Sequence, residues 1–137
     1  MRAMMKPQRG VVILESLIAI LIFSLGILGL VGLLAASIRN NASAKYRTDA
    51  SMLANQVVGR MWVADKSNAS LKANFESPNG AGYAAWQTDV ANALPGAAAN
   101  APTIAIDADN VATVKVRWQA PGEAAAHSYV LVARING

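Results

Sequence analysis

The sequence predicts an α+β fold: one long N-terminal helix, apolar all round in its first half, packed through its second half on a small antiparallel sheet of about three strands. Three observations predict it. From Ser16 to Ile38 run 23 consecutive residues without a charge, and a helix of about 20 apolar residues crosses a hydrocarbon core. Ile38, Ala42, Tyr46, Ala50, Leu53, Val57 and Met61 then recur at spacings of four and three, which is one apolar stripe on a helix. The end of the chain alternates apolar and polar residues in short runs separated by turn formers, the pattern of strands.

Composition narrows the chemistry. At 137 residues there is room for one domain of ordinary size, with a modest core left once the apolar segment is set aside. The absence of cysteine removes disulfides, thiolate-ligated zinc and thiol catalysis together. The formal charge of +4 comes mostly from Arg2, Lys6 and Arg9, ahead of the apolar run, and the rest of the chain nearly balances. Nucleic acid is therefore not expected as a partner on charge alone.

The first helix is expected from about Val11 to Val63, roughly 80 Å at 1.5 Å per residue. Between Ile38 and Val63 there is no proline and one glycine, Gly59. Arg39, Lys45, Arg47, Asp49 and Arg60 fall mostly off the stripe, and Tyr46 and Trp62 are read as core. Within the apolar half, Gly26, Gly29 and Gly32 recur at every third position. Small residues in a membrane helix often mark close packing. Each glycine also weakens a helix by about 1 kcal/mol relative to alanine, so the triplet is equally a place where the helix could loosen.

Asp65 to Gly82 reads as a loop with at most a short helical turn. "YAAWQTDVANAL" places Trp86, Val90 and Leu94 four apart, a short amphipathic helix stopped by Pro95 and Gly96, and "GAAANAP" reads as a linker. The strands are "PTIAI", "NVATVKVRWQ" and "SYVLVARI". The second puts Val114, Val116 and Trp118 on one face and Lys115 and Arg117 on the other; the third puts Tyr129, Leu131, Ala133 and Ile135 together. "DADN" and "APGEAAAH" are the turns between them.

One residue conflicts with a plain membrane anchor. Glu15 lies five residues after Gly10 with apolar neighbours on both sides, and a carboxylate in hydrocarbon costs a few kcal/mol or more. A cleaved secretory signal is the other ordinary explanation of the segment. Its best cleavage site, near Ala35 and Ala36, has Leu33 or Leu34 where a small residue is wanted, and the apolar run is long for a signal core. Basic residues flank the span on both sides, Arg2, Lys6 and Arg9 before it and Arg39, Lys45 and Arg47 after it. The compact leader favours a cytoplasmic N-terminus.

A basic leader, Gly10, four apolar residues, Glu15 and about twenty further apolar residues together resemble the class III signal of type IV pilins and of the pseudopilins of type II secretion. The run "ILIFSLGILGLVGLLAA", the later Trp…Leu-Pro-Gly stretch and the late strands are similar to the minor pilin family called PilV, the type IV pilus modification proteins. The specific motif covers about 30 residues, and the rest agrees more loosely.

The resemblance implies the type IV pilin fold and four segments: a cleaved leader (1–10), a transmembrane and filament-core half-helix (11–37), an amphipathic half-helix (38–63) and a periplasmic globular part (64–137). It implies that a prepilin peptidase cuts after Gly10 and N-methylates Val11, where many pilins carry phenylalanine. It implies an inner-membrane, single-pass subunit with a periplasmic C-terminal part, later drawn by an assembly platform into a pilus beside the major pilin and other minor pilins, with a tip adhesin as a further partner. Glu15 would pair with the terminal amine of a neighbouring subunit, and Gly26, Gly29 and Gly32 would loosen the helix in the filament. Adhesion, twitching motility or DNA uptake are the activities so served.

Enzymatic chemistry is not expected, nor is a cofactor or a metal. His127 is the only histidine and stands at a loop-to-strand edge. Asp107 and Asp109 are too few for a calcium loop and read as a turn. The glycosylation-like triplets at Asn41 and Asn68 are discounted as common short patterns. Two alternatives stay open: a minor pseudopilin of a type II secretion system, and a pilin that captures DNA through Arg39, Lys45, Arg47, Lys115 and Arg117, which requires those residues to converge on one exposed patch.

Overall fold

The computed structural model describes residues 9–136, so Arg2, Lys6 and the rest of the leader before Arg9 lie outside the described residues. The elements follow in the order α1 (Arg9–Val63), α2 (Asn68–Phe75), α3 (Ala81–Ala93), β1 (Thr103–Ile106), β2 (Val111–Trp118) and β3 (His127–Arg134). The fold is α+β, with one long apolar N-terminal helix and one three-stranded antiparallel sheet in the order β1-β2-β3. Two compact units divide between Asn41 and Ala42.

In the first unit every large apolar side chain from Val11 to Leu34 is exposed, from 45% at Ile27 to 70% at Leu33. A helix apolar on all sides needs lipid or other helices around it, and this one is long and apolar enough to cross a membrane. Its two serines are suited to such surroundings. Ser16 Oγ donates to the Val12 carbonyl at 2.8 Å and Ser24 Oγ to that of Ile20 at 2.7 Å, so neither hydroxyl needs water.

The second unit holds the core. Ala50, Leu53, Ala54, Val57, Val58 and Met61 of α1 are buried, as the four-and-three spacing predicts. They pack with Leu71 and Phe75 of α2, with Tyr83, Trp86 and Val90 of α3, and with Ile104, Ile106, Ala112, Val114, Val116 and Trp118 of the sheet. Trp86 Nε1 donates to the Leu53 carbonyl at 2.9 Å, and Tyr83 Oη to that of Pro102 at 2.7 Å, so both buried aromatics have their polar atoms satisfied. At the margin, Arg60 Nη2 pairs with Asp89 Oδ2 at 2.9 Å.

Three expectations need correction. Trp62 is not core: it is 42% exposed, beneath the Lys66 ammonium at 5.3 Å. It follows Met61 by a 100° turn of the helix and so leaves the apolar stripe. The supposed loop after Asp65 contains α2, whose Leu71 and Phe75, four apart, are buried amid polar neighbours. Its link to α3 is so close that a Cβ at Gly80 would lie 2.4 Å from the Asn74 carbonyl oxygen. The supposed linker after Leu94 is a packed turn. Gly96 has φ +68°, where side chains are strained, Ala97 is buried, and the Gln119 N–H donates to the Pro95 carbonyl at 2.9 Å.

Candidate functional site

Val11 and Glu15 are one helical turn apart on α1, on a face shared with Leu14, Ile18, Ala19 and Ile22. Gly10 precedes them within the same helix, exposed, with nothing within 4 Å of where a Cβ would stand. Among the described residues no side chain bonds or pairs with the Glu15 carboxylate. Such a carboxylate on an all-apolar helix is stable only in water or opposite a positive group brought by something else.

Gly26, Gly29 and Gly32 lie within regular helix, and no heavy atom comes within 4 Å of a Cβ built at any of them. They leave three notches on a helix whose other side chains are bulky, open to a neighbour's close approach.

The remaining candidates belong to the second unit. Asp107 Oδ1 accepts the N–H groups of Asp109 at 2.8 Å and Val111 at 2.9 Å, which makes it a turn-forming side chain. Among the described residues no group of three or more metal-ligating side chains forms. Asn68 Nδ2 donates to the Asp107 carbonyl and to Asn110 Oδ1, both at 2.7 Å, so this amide holds the fold. Lys45 pairs with Asp49 at 3.6 Å, while Lys115 and Arg117 are half-buried on β2. The proposed DNA-capturing set is thus not a set of free cations.

His127 stacks on Trp118, its cross-strand partner, at 5.8 Å, and its Nε2 lies 2.6 Å from Glu123 Oε2. Sequence reading saw no acidic group acting on this histidine, because a spacing of four carries meaning only on a helix and these residues form a turn. It also missed the contact of β3 with α1, where Ser51 Oγ donates to Tyr129 Oη at 3.3 Å. Only the tertiary fold brings residues 78 positions apart together.

No family model, curated protein or solved structure matches the chain.

Proposed function

We propose that the chain is a minor type IV pilin of the PilV kind, a structural subunit that primes or modifies pilus assembly after prepilin peptidase processing. One observation carries the proposal: Glu15 stands without a partner one turn beyond Val11, at the start of a helix that is apolar on every side. The order of elements, a long helix and then a small antiparallel sheet, is consistent with it.

The mechanism follows from the electrostatics. A cut after Gly10 creates an amine on Val11. In the membrane, an ammonium and a carboxylate in low dielectric are each costly, while a hydrogen-bonded pair offsets much of that cost. Within one chain the two groups stand a turn apart; between chains, the amine of one subunit reaches the Glu15 of the next. The pair then acts as a register device that fixes the axial step between subunits. The chain waits in the inner membrane, N-terminus cytoplasmic and globular part periplasmic, until the assembly platform draws it into a filament with the major pilin and its fellow minor pilins.

Mass spectrometry of the mature N-terminus tests this. The expected result is a chain starting at Val11 with one added methyl group, and Gly10→Glu leaves the full-length precursor. A start near Ser37 refutes the proposal in favour of an ordinary signal peptide. A minor pseudopilin would share the processing and the fold; co-purification with pilus subunits or with secretion-system components separates the two.

A further inference from the structure

The two edges of the sheet are treated differently. In β1, the chain before α3 closes the edge. The Ser77 N–H donates to the Ile104 carbonyl at 3.0 Å, the Ile104 N–H to Ser77 Oγ at 3.2 Å, and the Ile106 N–H to Glu76 Oε1 at 3.5 Å. In β3 nothing corresponds. The Ile135 N–H donates to the Asn110 carbonyl, and Asp107 to Val111 across the other ladder. Since antiparallel pairs alternate, the odd-numbered residues of β3 face β2. Ser128, Val130, Val132 and Arg134 therefore direct their N–H and C=O groups away from the sheet, and among the described residues nothing bonds them.

The apolar layer is also unfinished at this edge. Ala112, Val114 and Val116 of β2 are 0% exposed, whereas their β3 counterparts Ala133, Leu131 and Tyr129 are only partly buried. Beside the edge, α1 and β3 form an open groove of about 430 Å³, lined by Ala44, Arg47, Thr48, Ser51 and Tyr129. Exposed edges are usually blunted by proline, a bulge or an inward charge. β3 has no proline or inward charge, and its ladder with β2 is unbroken for all eight residues.

Charge selects the occupant. Arg134 lies on the edge, Arg47 in the groove, and Lys115 and Arg117 pair with Val130 and Ser128 on the adjoining strand. Neither β3 nor the groove contains an acidic residue. A second copy pairing through β3 would bring like charges together, which disfavours that arrangement.

We propose that the open edge of β3, with the groove beside it, is the docking site for an extended acidic segment of a partner polypeptide, which enters the sheet as a fourth strand. Main-chain hydrogen bonds supply the attraction, apolar side chains on alternate positions cover Tyr129, Leu131 and Ala133, and carboxylates on the others face the basic side. The proposal does not depend on filament membership.

The test uses the full chain in dodecyl maltoside micelles and a fluorescent decapeptide of alternating valine and glutamate. The expected result is saturable binding, with amide exchange slowed at Ser128, Val130, Val132 and Arg134. A valine–lysine decapeptide should bind at least about tenfold more weakly. Val132→Pro should abolish binding, since its N–H faces outward and makes no ladder bond. Should that variant not fold, the peptide itself carries the test: N-methylation of one alternate set of its amides should cost about tenfold or more, and of the other set little. Equal binding of the acidic and basic peptides, absence of β3 protection, or equal effects of the two methylation patterns would overturn the proposal. So would protection of the same amides on raising the chain's own concentration without peptide, which assigns the edge to a second copy.

Discussion

Asn110 is the junction at which the sheet is tied to the helices, and its replacement gives a graded test of the fold. Its φ is +59°, a conformation that costs most side chains about 1 kcal/mol and that asparagine tolerates. Its Nδ2 donates to the Lys66 carbonyl at 3.0 Å, its Oδ1 accepts from Asn68 Nδ2 at 2.7 Å, and its own carbonyl accepts the Ile135 N–H at 2.9 Å. Asn110→Ala keeps only the last of these. Two lost side-chain bonds at about 1 kcal/mol each, with the left-handed strain, give a cost of about 3 kcal/mol. Asn110→Gly loses both bonds without the strain and should cost about 2 kcal/mol. Asn110→Asp keeps the acceptor for Asn68 and should cost about 1 kcal/mol. Guanidinium unfolding of the full chain in micelles, followed by the near-ultraviolet dichroism of buried Trp86 and Trp118, measures the series. Equal stability of the alanine and glycine variants would refute the strain component. An alanine variant within about 0.5 kcal/mol of the parent would refute the junction itself.

Further predictions follow from other parts of the molecule. Trp86→Phe, which removes the bond to Leu53 and some volume from a fully buried site, should cost about 2 kcal/mol, and Trp86→Ala about 4 kcal/mol, in the same unfolding assay. Glu15→Ala should leave processing intact, seen as a mature-length band, but remove the subunit from purified pili; normal amounts in pili would defeat the register role. The Asp65 carboxyl, which accepts the Ser67 N–H and hydroxyl, is held below its ordinary value of 3.8. Its contribution to stability is therefore present above the unfolded value and lost as pH falls through the folded one. In a carboxyl-detected titration, Ser67→Ala should raise the Asp65 midpoint part of the way back, because the backbone donor remains.

Much of the fold was legible because its periods are strong. The stripe from Ala50 to Met61 and the alternation from Val111 to Trp118 each bury the predicted face. The third strand was placed on the right residues too, but its inward side chains are only partly covered, which alternation cannot reveal. α2 was missed because eight residues carry only two apolar positions, and its turn-like neighbours outweighed them. Trp62 was misassigned on residue type against position, since one step along a helix turns a side chain out of the core. In the candidate site, Gly10, Val11 and Glu15 were legible from spacing alone, because helix geometry converts an interval of four into a shared face. The β3 edge was not, because an unpaired backbone group leaves no mark in the side-chain pattern.

The apolar helix and its one carboxylate are best understood together. In the proposed assembly, the helix leaves lipid for a bundle of identical helices. That exchange gains little from the hydrophobic effect, because lipid tails are as apolar as the side chains from Val11 to Leu34. Apolar contacts also tolerate sliding, so they hold subunits together without fixing their axial offset. A buried ion pair behaves in the opposite way: it adds little net stability, yet a displacement that separates the charges is strongly unfavourable. Glu15 would therefore contribute register more than adhesion. Substitution by glutamine separates these roles, because it keeps an acceptor for the Val11 amine and removes the charge. If register is its function, Glu15→Gln subunits enter pili more readily than Glu15→Ala subunits and less readily than the parent, in proportions read by quantitative mass spectrometry of the purified filaments.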